Sequence, residues 1–338
     1  MWKLREGGKA VYRGAKASSS SSSAVSVSVS SRDVGACATR EPAYEVDTRG
    51  RERLVYKAEG YNYVNTTDIE FTTKEDAALF GGNRGISYHY VSAGLDTEDA
   101  SRKPTLVLLH GFGASAYHWR YNIPALAKHF RVFAPCLLGF GWSDKPVVDY
   151  SSGKVWESQM RHFLREVVGS GAVIAGNSMG GIATLFAAAD SANDVKGIVL
   201  LNAAGRLRAE MKPEPEKKLP AEKTIFTEAF DAVAAGFRRL VLGATFLYTK
   251  QPARVEQVLR QVYYCDENID DVLIESILRP SREKSAEEVF CKVVDRTLAS
   301  NQTIDDLLLQ TNAPTLLLVR IDVLCTRHTH VRTFSASL

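Results

Sequence analysis

The sequence predicts an α/β fold of the doubly wound type, with a mostly parallel sheet and a helical cap inserted after the sixth strand. Three observations support this prediction. Five nearly continuous apolar runs have the length of strands that are buried on both faces. Segments of helical length separate the first four runs, which is the alternation of βαβ units. A long, mostly helical stretch at 206–312 then interrupts the alternation before the fifth run.

The chain begins with a segment whose composition is not that of a folded domain. Residues 1–40 are rich in serine, with six in succession from Ser18 to Ser23, and they contain seven basic but only two acidic residues. Such a segment buries too little apolar area to offset its ordering entropy, and its composition is typical of an organellar transit peptide. We therefore expect a protein of the chloroplast or the mitochondrion, with the cytoplasm as the alternative. Residues 41–60 are expected to be a linker.

The strands can be assigned in order from residue 61. Alternation in "TDIEFTT" (67–73) and "GISYHYVSAG" (85–94) predicts a hairpin of half-exposed strands. The buried parallel strands are predicted in "TLVLLHGF", "RVFAPCLLG", "GAVIAGNS", "VKGIVLLNAAG" and "APTLLLV". These assignments place the core in 61–205 and 313–338 and the cap in 206–312.

The motif that carries chemistry is "GNSMG", in which Ser178 lies between Gly176 and Gly180. It follows an apolar strand and opens a helical segment, which is the context in which a G-x-S-x-G turn lifts a nucleophilic serine above a sheet. The two glycines provide the small volumes that let strand and helix approach each other. The alternative is a glycine-rich turn with an incidental serine, and the context favours a nucleophile at Ser178.

A second element, "LLHGFGAS", lies at the end of an earlier strand. His110 and Gly111 open a loop whose backbone N–H groups can point at a developing oxyanion. We expect the oxyanion hole to consist of the N–H groups of Phe112 and of Met179, the residue after the nucleophile. His110 itself is expected to be a hydrogen-bonded structural residue rather than a proton-transfer group.

Together, "VLLHGFGASAYHWRYNIPALAKHFRVFAPCLLGFGWSDKP", "AGNSMGG" and "VKGIVLLNAAG" resemble the α/β-hydrolase superfamily. The segments "LLGFGWSDKP" and "NIDDVLIESILRPS" more specifically resemble its plastid and cyanobacterial branch, which includes pheophytinase and chlorophyll dephytylase. The resemblance covers roughly residues 60–319.

The resemblance implies a serine hydrolase that cleaves carboxylic esters through an acyl-enzyme, with no metal and no organic cofactor. The branch acts on phytyl esters of chlorophyll-type pigments, so we expect a small hydrophobic ester as ligand and peripheral membrane association through that substrate. We call the turn between the strand and the helix at Ser178 the elbow. Relatives that act on haloalkanes or epoxides have an aspartate at this position. Asp144, in "GWSDKP", belongs to a loop-shaping segment in the family and is not expected to be the catalytic acid.

The C-terminus departs from the family pattern after about residue 319. Asp322 falls one residue short of the family's acid position and is our candidate acid. His328 and His330 follow it too closely to return across the sheet, so no histidine base is identified. We therefore expect that the last strand and helix are missing, that the sheet has an unpaired edge and that this chain lacks its activating histidine.

Composition excludes several other function classes. Outside the first 40 residues, basic and acidic residues nearly balance, so we expect no nucleic-acid partner. No uninterrupted apolar stretch is long enough for a transmembrane helix, and the five cysteines include no C-x-x-C pair that would indicate a zinc site. The alternative to an esterase is a non-catalytic hydrolase-fold binding or regulatory protein. The sequence leaves the oligomeric state open.

Overall fold

The computed structural model describes residues 43–46, 52–55, 61–71, 73–82, 85–206, 239, 241–263, 265–297, 302–320 and 331–336. The transit-peptide-like segment 1–40 lies outside these ranges. The candidate acid Asp322 and the two C-terminal histidines, His328 and His330, also lie outside them.

Ten strands form two sheets in the described residues. The strands are β1 (Ala43–Val46), β2 (Glu52–Val55), β3 (Tyr61–Asp68), β4 (Ser87–Ala93), β5 (Thr105–Leu109), β6 (Arg131–Pro135), β7 (Ala172–Asn177), β8 (Val195–Leu201), β9 (Thr315–Arg320) and β10 (Val331–Ala336). Eight of them form one sheet in the order β10-β9-β8-β7-β5-β6-β4-β3. The strands from β9 to β6 in this order are parallel, and the strands on either side of them pair antiparallel.

Helices lie between the strands and on both faces of the sheet. They are α1 (Lys74–Leu79), α2 (Asn122–Ala127), α3 (Lys154–His162), α4 (Met179–Asp190), α5 (241–249), α6 (Pro252–Val262), α7 (Asp271–Ser281), α8 (Ala286–Thr297) and α9 (Ile304–Gln310). Helix α3 continues into a wider π-helical turn at Phe163–Val168. Helix α4 packs on β7 and β8, and α9 packs on α4.

The apolar runs form strands because both of their faces are covered. In β5, Val107 and Leu109 face one hydrophobic cluster, which includes α3 and α4. Leu106 and Leu108 face a second cluster on the other side of the sheet. Successive side chains of a strand point to opposite faces, so a continuous apolar run fills both cores.

Two N-terminal expectations need correction. The two predicted strands pair antiparallel as β3 and β4, but β3 spans Tyr61–Asp68 rather than 67–73, and α1 lies between the two strands. Strand β4 is almost entirely buried because it lies between β3 and β6. The expected linker at 41–60 contains an antiparallel pair, β1 and β2. Tyr44 of β1 packs against the core, and the Arg279 guanidinium lies 3.7 Å from the centroid of its ring.

The edge of β9 has a partner, contrary to the expectation of an unpaired edge. Strand β10 pairs antiparallel with β9 from Val331↔Arg320 to Ala336↔Thr315. The ladder satisfies backbone groups that an unpaired edge would leave open. Within the described ranges no helix follows β9.

The described residues between β8 and β9 are mainly helical. We call α5 to α8 the cap helices. Neither here nor in the rest of the described chain is any helix long and apolar enough to cross a membrane.

Candidate active site

Ser178 lies at the sharp turn between β7 and α4. Its backbone has φ +52° and ψ −117°, a conformation that L-residues rarely adopt. Its N–H donates to the Leu201 carbonyl at 3.0 Å, and its own carbonyl accepts from the N–H groups of Gly181 and Ala204, both at 2.9 Å. These three bonds hold the strained turn in place, and the serine stands at the carboxyl end of a central parallel strand.

The two glycines of the motif are required by close packing. A side chain on Gly176 would collide with the Gly180 carbonyl and the Thr184 hydroxyl. A side chain on Gly180 would collide with the carbonyls of Leu109 and His110. The motif therefore packs α4 directly against the loop that follows β5.

His110 is fully engaged in hydrogen bonds. Its Nε2 accepts from the Leu137 N–H at 2.9 Å, so Nδ1 carries the proton and donates to the Gly111 carbonyl at 2.8 Å. Burial lowers the pKa of His110 to about 4, against an opposing effect of the Gly111 carbonyl. The ring is therefore neutral at pH 7, and its two hydrogen bonds connect the loop to the start of the next loop, after β6.

The loop after β5 passes beside the nucleophile. A Cβ on Gly111 would lie 3.3 Å from Ser178 Cβ. Met179 is the first residue of α4, where backbone N–H groups have no acceptor within the helix. Phe112 is 42% exposed, and its ring lies 5.6 Å from that of Phe290 on α8. The structure thus brings Ser178, Phe112 and Met179, the three predicted residues of the nucleophile and oxyanion hole, to one place, while their catalytic roles remain predictions.

Ser178 and the oxyanion loop line a cavity of about 780 Å³ between the sheet and the cap helices. This volume lies within the usual range for small-molecule sites, roughly 300–1,000 Å³. Most of the lining is apolar and aromatic, including Phe112, Phe246, Val255, Leu259, Leu278 and Phe290. The cavity therefore fits a ligand with a large hydrophobic part.

The charged groups of the cavity are cationic. Its described lining contains Lys145 and Lys250 and no carboxylate. Lys145 donates to Glu283, which is not part of the lining, at 2.8 Å. Burial, followed by the charges of His110 and Arg120, lowers the pKa of His118 to about 3. Sequence reasoning missed Lys145 and His118, because a lone Lys or His in a loop carries no motif.

Asp144 has a structural role, as expected. Its carboxylate accepts from the Ser87 N–H at 2.7 Å and from the Ser87 hydroxyl at 3.3 Å. Its backbone carbonyl accepts from the Gly139 N–H at 2.8 Å. These bonds tie the loop after β6 to the start of β4.

No acid, base or metal can be assigned from the described ranges. Asp322, His328 and His330 lie outside them. The two histidines of the described lining, His110 and His118, are both neutral at pH 7 with lowered pKa values. In this part of the chain no group of three or more His, Cys, Asp or Glu side chains is placed to hold a metal ion.

Comparison with known sequences identifies relatives of several activities. Residues 106–311 match the model of the alpha/beta hydrolase family. The chain is 30% identical over 151 residues to the chloroplastic pheophytinase of Arabidopsis thaliana, which is 35% of this chain and 30% of that protein. It is 35% identical over 118 residues to the soluble epoxide hydrolase of a Corynebacterium strain, which is 35% of this chain and 38% of that protein. The chain thus spans only about a third of the length of the curated relatives that it matches.

Solved structures show the same fold. Cfl2 from Burkholderia cenocepacia has a TM-score of 0.54 and 24% identity, over 82% of this chain and 83% of that chain. A probable hydrolytic enzyme from Pseudomonas aeruginosa PAO1 has a TM-score of 0.53 and 21% identity, over 75% and 73% of the two chains. The family match covers more than half of the chain, and the sheet order and the Ser178 elbow agree with it. The chain belongs to the α/β-hydrolase family.

Proposed function

We propose that this protein is a serine hydrolase that cleaves carboxylic esters with a large hydrophobic part. The observation that carries the proposal is the position of Ser178, which lies on a strained elbow at the wall of a largely apolar cavity. A serine at this position can form an ester with an acyl group. The epoxide hydrolase relatives therefore do not define the chemistry proposed here.

The proposed reaction has two stages. Ser178 Oγ attacks the ester carbonyl carbon, and the carbonyl electron pair moves onto the oxygen, which accepts hydrogen bonds from the N–H groups of Phe112 and Met179. The intermediate collapses, the alcohol leaves with a proton, and the acyl group remains on Ser178. Water then attacks the acyl-enzyme and releases the acid. The serine proton requires a base, which we assign to neither His110 nor His118 because both are weak bases; Asp322 stays the candidate acid.

Within this class we propose phytyl esters of chlorophyll-type pigments as substrates and the plastid as the location. The pheophytinase relative and its chloroplast address support both. Val258 and Val262 of α6 line the cavity and are 57% and 61% exposed. This apolar rim supports peripheral contact with the membrane from which such a substrate is drawn.

Activity-based labelling tests the class of reaction. The full chain is treated with a fluorophosphonate probe, and turnover of p-nitrophenyl esters of increasing chain length is measured in parallel. We expect Ser178 to be labelled, turnover to stay far below that of an esterase with a complete triad, longer acyl chains to be preferred, and Ser178→Ala to abolish both signals. Ser281→Ala is the matched control, because Ser281 also lines the cavity but donates its hydroxyl to the Leu278 carbonyl at 2.7 Å.

The outcomes distinguish an esterase from a non-catalytic binding protein of the same fold. Labelling without turnover would mean that the elbow is reactive but deacylation is blocked. Absence of both signals in a folded protein would favour the non-catalytic binding protein. Release of phytol from pheophytin, measured by chromatography with and without Ser178→Ala, tests the pigment ester.

A further inference from the structure

Unpaired polar atoms concentrate in one short segment beside the cavity. Four buried side-chain nitrogens of three consecutive residues lack a hydrogen-bond partner among the described residues: His118 Nδ1, Trp119 Nε1, and Nε and Nη1 of Arg120. The great majority of buried polar groups are hydrogen-bonded, because burial without a partner removes the bond to water and puts nothing in its place. The concentration therefore indicates a site where a polar partner binds.

The local structure presents the first two of these three residues to the cavity. A 3₁₀ turn at Ala116–Trp119 is capped by Ser115, whose hydroxyl accepts from the Tyr117 N–H at 3.2 Å. The turn places His118 and Trp119 in the cavity lining. Tyr263, which follows α6, also lines the cavity, and its ring centroid is 6.3 Å from that of His118.

Arg120 is not part of the cavity lining, but its charge acts on Tyr263, which is. Its Nη2 donates to the Asn268 carbonyl at 2.6 Å, and its guanidinium carbon lies 4.3 Å from the centroid of the Tyr121 ring. Burial raises the pKa of the Tyr263 phenol, and the positive charge of Arg120 acts against this rise. The phenol hydroxyl can donate a hydrogen bond to a ligand atom.

The chemistry of these groups defines the ligand atom. An indole N–H can only donate, and a phenol hydroxyl can donate as well as accept. The described lining adds two lysines and no carboxylate. The matching ligand group is therefore an oxygen that accepts hydrogen bonds.

We propose that His118, Trp119 and Tyr263 form a subsite for a second acceptor oxygen of the ligand, a ketone or carboxylate oxygen separate from the ester carbonyl. This inference rests on the proposed function, because it takes the ligand to be an ester. It narrows the substrate class to hydrophobic esters that carry a further carbonyl or carboxylate group.

A binding measurement tests the subsite without turnover. The full chain with Ser178→Ala is titrated calorimetrically with ethyl octanoate, ethyl 7-oxooctanoate and monoethyl octanedioate, and the corresponding decanoate series covers a longer reach. The oxo ester tests a ketone and the half-ester tests a carboxylate. Trp119→Phe and Tyr263→Phe each remove one donor and keep an aromatic ring. Tyr248→Phe is the matched control, because Tyr248 lies on α5 and is 48% exposed.

We expect at least one acceptor-bearing ester to bind about tenfold more tightly than the plain ester, and Trp119→Phe and Tyr263→Phe each to reduce that preference about fivefold. The affinity for the plain ester and the behaviour of Tyr248→Phe should stay nearly unchanged. Equal affinities for all esters, or a preference that survives both substitutions, would overturn the proposal. Failure of Ser178 labelling would refute the hydrolase function without altering this ratio.

Discussion

Lys145, in the loop after β6, and Glu283, in the turn after α7, form an ion pair with Nζ and Oε2 2.8 Å apart. Only 3% of the Lys145 side chain is exposed, against 28% of the Glu283 side chain. The ammonium group also donates to the carbonyls of Gly141 and Ser143. The ion pair therefore connects the C-terminal end of α7 to the loop after β6, next to the cavity.

Substitution of Glu283 should weaken this connection. We expect Glu283→Gln to lower the free energy of unfolding by about 1–3 kcal/mol, because it removes a negative charge that lies against a buried lysine, while partial exposure of the carboxylate limits the loss. Urea denaturation measures the change. Glu256→Gln is the control, since Glu256 pairs with Arg260 at 2.6 Å on the surface and such pairs contribute little. An equal loss in both variants would contradict the explanation.

Three histidines should make the fold sensitive to acid. Burial lowers the pKa values of His110, His118 and His162 below the ordinary value of 6.5, to about 4 for His110. The unfolded chain therefore binds protons at a higher pH than the folded chain. Their contribution to stability is fully present above about pH 6.5 and is lost as the pH falls from there toward 4.

His110→Gln tests this dependence, because glutamine can accept and donate hydrogen bonds but does not titrate. Between pH 7.5 and 4.5 the unmodified protein should lose more unfolding free energy than the variant, by about 2–3 kcal/mol on the basis of 1.4 kcal/mol per pKa unit. Denaturant titrations at the two pH values give the difference. His129→Gln is the control, since His129 is exposed. An unchanged pH slope in His110→Gln would show that this ring is not the titrating group.

The elbow should not tolerate a methyl group at Gly180. Its Cβ would collide with the carbonyls of Leu109 and His110, so Gly180→Ala should lower the free energy of unfolding by about 1–3 kcal/mol and displace Ser178. Thermal unfolding and fluorophosphonate labelling report the two effects. Gly197→Ala in β8 should be tolerated, because its Cβ would make only ordinary contacts at 3.4 Å or more. Equal tolerance of both substitutions would contradict the packing argument.

The local sequence pattern was sufficient to predict the central strands and the elbow, but it did not predict the burial of β4. A continuous apolar run such as that of β5 predicts a strand that is buried on both faces. In β4, Ser87 and His89 resemble solvent-facing positions, yet both are buried. Ser87 donates to Asp144, and His89 lies within 3.4 Å of Cys136 Sγ. Partners so distant in sequence cannot be inferred from alternation.

The same limit applies to the candidate site. Ser178, Gly176 and Gly180 are contiguous, so a motif reveals them. The Trp119 and Tyr263 subsite combines a loop of the core with the end of a cap helix, and its residues come together only through tertiary packing. No motif or hydrophobic periodicity in the sequence relates Trp119 to Tyr263.

The proposed oxyanion hole can be tested by removing a backbone donor. Phe112→Pro deletes the N–H that we assign to the oxyanion, whereas Phe112→Leu keeps it and loses the ring contacts with Phe140 and Phe290. Because the donor acts mainly in the transition state, we expect the proline variant to lower kcat, or the rate of fluorophosphonate labelling, by about 10²- to 10³-fold with little change in KM.

The leucine variant should instead raise KM and leave kcat within a fewfold, since only the substrate contact is lost. Thermal unfolding of both variants must remain close to that of the unmodified protein for the comparison to hold, and Ser178→Ala sets the background rate. If the two substitutions at Phe112 reduce kcat equally, the side chain rather than the N–H is responsible. In that case the oxyanion would have to be stabilised by Met179 and by a donor other than Phe112.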